Sequence, residues 1–351
     1  YTSCMSEITR SSLVDVARAA GVSLATVDRV LTGRPGVRPA TAERVHRAVQ
    51  QLGYRPDPAA ARLARVKPWT LRYVLAAGTN TFVRMLATQI DELQPWLREQ
   101  RAIATVDLVD VFSAPALAEH LLSLRGRADA VVVMALDHPQ VRHAIDSLVE
   151  AGTVVITLVS DVPGSRRQHH VGIDNVAAGR TAASLLGRFL GPPPGEPGPV
   201  GIVLGSRALR DHAERLFGFR QVMDTEYGAW PLLEPIEGLD ATDRTRPLVT
   251  RLLESQPRLA ALYSIGAGNR GIHDALLASG RSGEIVWICH ELTPQAREAL
   301  LSGIADAVIN QDAGHEVRSS VRLAMACLNG DRLIESQERI RVEIFLRDNM
   351  S

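Results

Sequence analysis

The chain has 351 residues, of which 46% are hydrophobic and 22% charged, and its 39 Lys and Arg balance 39 Asp and Glu. This supplies apolar material for two or three cored domains and argues against a membrane-spanning helix, since the longest apolar runs, such as Ala130–Leu136, are far too short. Tyr1–Met5 lacks the basic-then-apolar order of a secretory signal, and Met5 reads as a better initiator than Tyr1. The three cysteines, Cys4, Cys289 and Cys327, have no metal-type spacing, so a cytoplasmic chain with no metal and no membrane partner is expected.

The zero net charge conceals an asymmetry. Residues 1–67 carry eleven Arg and Lys against five Asp and Glu, and the remainder carries 28 against 34. A basic head on an acidic body is expected to meet a polyanion. Ser12 can cap a short helix over 12–20, in which Leu13, Val16, Ala17 and Ala20 fall at helical spacing. Gly21 suits a tight turn, and Ser23 can cap a second helix from Leu24 to about Leu31. Gly33-Arg34-Pro35-Gly36 breaks the chain. A third helix from about Thr41 to Leu52 turns Val45, Val49 and Leu52 inward. Two short helices joined by such a turn form a helix-turn-helix unit, although spacing alone leaves open a three-helix miniature domain without a DNA role.

The run Asp15-Val16-Ala17-Arg18-Ala19-Ala20-Gly21-Val22-Ser23, followed by Ala25-Thr26-Val27-Asp28-Arg29-Val30-Leu31, resembles the head of the lactose-repressor family. Val37, Thr41, Arg44-Val45 and Leu52-Gly53-Tyr54-Arg55-Pro56 continue the pattern in register. The resemblance implies that residues 8–55 are a helix-turn-helix DNA-binding domain with its second helix in the major groove. It implies DNA contacts at Ser23, Leu24, Ala25, Thr26, Asp28, Arg29, Arg34 and Tyr54. Leu24 and Ala25 can offer only apolar contacts, for instance to thymine methyls, whereas Thr26 and Arg29 can donate to phosphates or bases. Asp28 departs from the small hydroxyl or amide residue of the family. Phosphate would repel it, so it is left to accept from a cytosine amino group or to pair with Arg29 or Arg34.

After Pro56, Asp57 is a good N-cap, Pro58 suits the first helical position, and the following alanines favour a helix. Two turns are marginal alone in water, so the segment over 56–67 should need a partner. In proteins that the chain resembles, this hinge helix pairs with its twin in a dimer and enters the minor groove. Ala60 and Leu63 are then contacts, and Leu63 is the apolar wedge at a base step. A homodimer is the minimum this implies, and a plain helical linker is the alternative.

From Leu71 onward, apolar strand-like runs alternate with amphipathic helices. Strands are expected over Leu71–Ala76, Thr105–Val111, Ala130–Ala135, Val154–Val159, Val200–Leu204, Ala261–Ile265, Ile285–Cys289 and Ala307–Ile309. Helices are expected over 83–100, 138–151, 175–190, 209–226, 269–280 and 314–329. Such alternation indicates parallel sheets covered on both faces. The Gly- and Pro-rich stretch over 191–199 reads as a surface connection. Residues 69–351 resemble the periplasmic sugar-binding-protein fold that follows the lactose-repressor head. That resemblance implies an α/β body of two doubly wound parallel-sheet lobes joined by crossing strands. The first covers about 69–168 and 312–335, the second about 169–311 and 336–351.

Ligands of open α/β sheets lie beyond the carboxyl ends of the strands. There the resemblance points to Asn80, Phe82, Asp137, Asp161, Arg215, Asn269, His290, Glu291 and Gln311 as effector-binding residues. Asn80 can bind hydroxyls, and Phe82 can stack on a sugar face. Glu291 stands where the family has Asp, which leaves His290 as a competing contact. Asp174 reads as a helix cap and His169-His170 as a surface pair. No Gly-x-Ser-x-Gly, His-Glu-x-x-His or phosphate-binding glycine loop is present, so no catalysis and no cofactor are expected. The resulting expectation is a transcription regulator, with repression the family norm, that binds double-stranded operator DNA and a small effector, a sugar or sugar derivative. A free-standing sugar-binding protein and an enzyme on the same fold are the alternatives.

Overall fold

A computed structural model describes residues 11–31, 35–54, 67–193, 195–266 and 268–350. The chain divides into two compact units, Tyr1–Lys67 and Pro68–Ser351. In the first, α1 spans Leu13–Ala20, α2 Leu24–Leu31 and α3 Pro39–Leu52. Ser12 and Asp15 form a reciprocal capping box at the start of α1, and Gly21, at φ 65°, ends it. The Ser23 hydroxyl accepts from the Thr26 N–H at 3.2 Å and so starts α2. Helix α3 begins two residues before the expected Thr41, because Pro39 fits a first turn whose N–H groups need no intrahelical partner. Val16, Ala17, Ala20, Val27, Val45 and Ala48 form the core of the unit, with Val49, Leu52 and Tyr54 packed against it. The expected hinge helix, with Ala60 and Leu63, lies outside the described residues, as does Arg34.

The second unit holds two sheets. In the first, β1 (Trp69–Ala76), β2 (Ala102–Val109), β3 (Ala130–Val133), β4 (Val154–Leu158) and β5 (His169–Val171) are parallel in the order β2-β1-β3-β4-β5. In the second, β6 (Val200–Leu204), β7 (Ile236–Glu237), β8 (Ala261–Ser264), β9 (Val286–His290), β10 (Ala307–Asn310) and β11 (Glu343–Phe345) follow the order β11-β10-β9-β8-β6-β7. Only β11 runs antiparallel in that sheet. Within the second sheet the side chains alternate between two cores. Ile202, Tyr263, Ile288 and Ile309 enter the larger one, and Val203, Leu262, Trp287 and Val308 the smaller one behind it.

Helices fill the crossovers. They are α4 (Thr81–Glu92), α5 (Gln94–Glu99), α6 (Ala114–Ser123), α7 (Pro139–Glu150), α8 (Asn175–Leu190), α9 (Arg210–Glu226), α10 (Thr242–Ser255), α11 (Asn269–Ala278), α12 (Pro294–Leu301) and α13 (Ala313–Asn329). The single helix expected over 83–100 is two, broken at Leu93, because Pro95 has no N–H and belongs in a first turn rather than in a helix interior. The first sheet continues to Val171, so the chain leaves it after β5 and not at the expected 168/169 break. It passes to α8 on the second sheet, returns through α13 onto β4 and α4, and crosses again to β11. Three crossings therefore join the lobes, and the strand ends of both sheets converge on one cleft.

Candidate functional site

The residues lining the cleft end or follow a strand or lie in the first turns of a helix. From the first sheet come Ala76, Asn80, Phe82, Val111, Phe112, Met134, Val159 and Ser160. From the second come Leu209, Asp211, His212, Arg215, Asp240, Gly266, Glu291 and Gln311. The first wall is mostly apolar and the second mostly polar, an arrangement suited to a ring with one apolar face and a hydroxylated rim. The backbone is strained here. Among the described residues, Val159, Asp240 and Glu291 adopt φ of 65°, 54° and 67°, and all three line the cleft. A β-branched residue in that region is a genuine outlier, held only because its surroundings over-determine it.

Arg215 is the centre of the polar wall. It is 1% exposed. Its Nε donates to the Asn175 side chain at 2.8 Å, and its Nη1 donates to the Ile265 carbonyl at 2.9 Å and to Glu291 Oε1 at 3.3 Å. Gln311 donates to the same Glu291 oxygen at 2.8 Å. Burial pushes the Glu291 carboxyl above its usual range, and Arg215 opposes that rise. Asp211 is buried too, which would raise it, yet the neighbouring His212 and Arg215 bring it below the usual range.

These bonds leave a residue of unmet capacity. Arg215 Nη2, Glu291 Oε2 and Gln311 Oε1 are buried with no hydrogen-bond partner, Ser160 Oγ and Asp211 Oδ1 are buried with none beyond the approach of the serine hydroxyl to the Asp211 carboxyl, and all five residues line the cleft. Buried polar atoms are almost always hydrogen-bonded, so five orphans on one cavity indicate a site shaped for a polar ligand.

An adjoining chamber is lined by Asn80, Phe82, Asp240, Asn269, Arg270, His290 and Glu291, among others. Asn269 is largely committed within the protein, donating to the His290 carbonyl at 2.8 Å and accepting from Ser264 at 2.7 Å. His290 shares a 2.8 Å hydrogen bond with the Tyr263 hydroxyl and leaves Nδ1 unpartnered. Burial, then Arg215 and His212, hold His290 well below its usual pKa, so it is a neutral ring.

Of the nine residues expected at the effector site, Asn80, Phe82, Arg215, Glu291 and Gln311 line the main cleft, and Asn269 and His290 only the adjoining chamber. The other two of the nine line neither chamber. Asp161 is absent from both linings, because Arg167, Thr157 and its own turn take its carboxylate. Asp137 is absent as well, because it pairs with Arg142 at 3.1 Å and Arg210 at 3.5 Å. Sequence reasoning passed over Asp211, Asp240, Phe112 and Met134. Asp211 stands four residues before Arg215 and therefore on the same helix face, which is the signal that could have found it. Asp240 follows the two-residue strand β7, too short to read from periodicity. Asp174 caps α8 as expected, accepting from the Ala177 N–H at 2.9 Å.

In the first unit, Leu24 is 46% exposed at the start of α2, and Ser23, Ala25, Asp28 and Arg29 are exposed beside it, with Thr26 half-buried. An exposed leucine opening a helix is suited to an apolar partner such as a base edge. Tyr54 is half-buried against the helical core. Among the described residues no helix is long and apolar enough to cross a membrane, and no group of three or more His, Cys, Asp or Glu could hold a metal ion.

The periplasmic binding protein domain family matches residues 115–332, and the family of bacterial regulatory proteins named lacI matches residues 12–57. Catabolite control protein A of Priestia megaterium is 26% identical over 260 residues, 72% of this chain and 73% of the relative. The sucrose operon repressor of Escherichia coli is 51% identical over 73 residues, 20% of this chain and 22% of the relative. An ABC transporter solute binding protein from Burkholderia graminis, solved in complex with D-arabinose, superposes with a TM-score of 0.72 at 17% identity. That match covers 82% of this chain and 98% of the other, a likeness of fold.

Proposed function

We propose a function from one premise: the chain belongs to the periplasmic binding protein domain family and carries a DNA-binding head of the lacI family of bacterial regulatory proteins. It is a DNA-binding regulator whose body has the fold of sugar-binding proteins. The proposal is more specific. The protein is a sequence-specific transcriptional repressor, acting as a homodimer on double-stranded operator DNA, and its operator affinity is set by a small sugar or sugar derivative in the cleft. It is a binding protein rather than an enzyme, and it needs no cofactor.

The observation that carries the effector claim is the set of five orphaned buried polar atoms around Arg215. Hydroxyl groups both donate and accept, so one sugar can satisfy Asp211, Glu291 and Gln311 as acceptors and Arg215 as donor. A ligand that meets both walls together binds the closed spacing of the lobes better than an open one, and that differential affinity is what can shift a regulator between states. Support for the operator claim comes from the excess of Arg in residues 1–67, the exposed start of α2, and a relative that is itself an operon repressor.

Selection from a random-sequence DNA pool tests the reading. The full chain is expected to recover one motif, with an affinity that falls steeply as salt rises. A chain of residues 68–351 is expected to recover none. Arg215→Lys cannot reproduce the guanidinium fork and is expected to weaken the effect of any active sugar by ~10- to 100-fold while operator binding persists. Recovery of the same motif by residues 68–351, or no motif from the full chain, overturns the proposal.

A further inference from the structure

We infer that the cleft takes a polyhydroxylated ligand carrying no phosphate or carboxylate: a free sugar or polyol and not a sugar phosphate or sugar acid. The inference rests on the sensing role proposed above and narrows it to a chemical class. Its basis is the sign of the unmet capacity. Of the orphaned atoms on the cleft, Gln311 Oε1 can only accept, Asp211 Oδ1 and Glu291 Oε2 accept as carboxylates, and Ser160 Oγ, which stands beside Asp211, can donate or accept. Among the described residues lining the cleft, Arg215 Nη2 is the one orphan that must donate. A ligand that completes this set has to bring more donors than acceptors. Hydroxyl groups do so, and a phosphate, with three acceptor oxygens, does the reverse.

Charge points the same way. The lining carries the carboxyl groups of Asp211, Asp240 and Glu291 against the single guanidinium of Arg215. That guanidinium already faces Glu291 at 3.3 Å and spends Nε and Nη1 within the protein. The N-terminus of α9, a natural seat for an anion, carries a carboxyl of its own in the first turn, Asp211. Arg270 is exposed on the adjoining chamber and does not line the main cleft. The wall of Phe82, Phe112 and Met134 then offers the apolar surface on which the C–H face of a sugar ring packs.

The test is a set of matched ligands read by thermal shift and calorimetry on the full chain. Glucose, galactose, fructose, ribose, arabinose and xylose are each compared with their terminal phosphates and, for the aldoses, their aldonic or uronic acids. At least one parent sugar is expected to bind, and its phosphate and acid to bind about a hundredfold more weakly or not at all, since like-charge juxtaposition is strongly unfavourable. Asp211→Asn, which keeps the shape and removes a charge, is expected to narrow that gap. A phosphate or acid that binds as tightly as its parent overturns this inference and leaves the sensing role standing. A full panel without any binding overturns the sensing role and this inference with it.

Discussion

At the residue scale, two buried carboxyls divide the labour around Arg215. Glu291 has a partner for one oxygen and none for the other, which makes it both a brace for the arginine and a contact for a ligand. Glu316 is fully buried with no partner at either oxygen. Burial, and then the nearby Glu291, raise its pKa well above the ordinary 4.5. A group protonated more readily in the folded chain gives stability that is fully present below the ordinary pKa and is lost as pH rises through the folded one. Glu316→Gln keeps the volume and removes the titration. The variant is expected to melt ~2–4 °C above the wild type at about pH 8, with the gap closing toward about pH 5. Parallel melting curves across that range would remove Glu316 as the source of the pH dependence.

At the element scale, the position of Arg215 is set by how α8 and α9 cross. A Cβ on Gly179 of α8 would overlap the carbonyl oxygen of Arg215, and one on Gly218 of α9 would overlap that of Val176. The two backbones therefore touch, and glycine is required at both positions because any side chain would push the helices apart. The same contact brings Asn175, at the start of α8, within 2.8 Å of the Arg215 Nε. Gly179→Ala is expected to destabilise the second unit by about 1–3 kcal/mol through overpacking, and to weaken ligand binding because Arg215 moves with α9. Denaturant unfolding together with ligand titration checks this. Wild-type stability and affinity in that variant would show that the crossing does not position the arginine.

At the scale of the whole second unit, two polar contacts span the cleft. Asp137, after β3, meets Arg210 at the start of α9 at 3.5 Å, and Asn80, at the start of α4, donates to Asp240 at 3.3 Å. Asp137 does not line the cleft, so its influence on a ligand runs through closure of the lobes. A half-exposed ion pair is worth a fraction of 1 kcal/mol to about 1 kcal/mol. Asp137→Asn is therefore expected to weaken ligand affinity by ~2- to 5-fold, mainly through faster release. Stopped-flow dissociation from the full chain measures it. An unchanged release rate would mean that this pair does not hold the lobes together.

Periodicity and punctuation alone determined much of this protein. The three head helices, the α/β alternation and eight of the strands follow from apolar spacing and from Ser12, Gly21 and Ser23, since capping and turn geometry are local. Arg215, Glu291 and Gln311 could be placed at strand ends or a helix start because position along an element is also local. Which polar residues face one another is not local, and only the tertiary structure decided it. Asp161 and Asp137 sit at strand ends as convincingly as Glu291 does, but Arg167 folds back onto the first, and Arg142 and, from the other lobe, Arg210 close on the second, and these take their carboxylates. The strands β5 and β7 are two or three residues long and carry no period of their own, existing because a neighbouring strand offers them a ladder. The orphaned atoms around Arg215 belong to no motif, because an unmet hydrogen bond is a property of the packed surroundings and not of the residue that carries it.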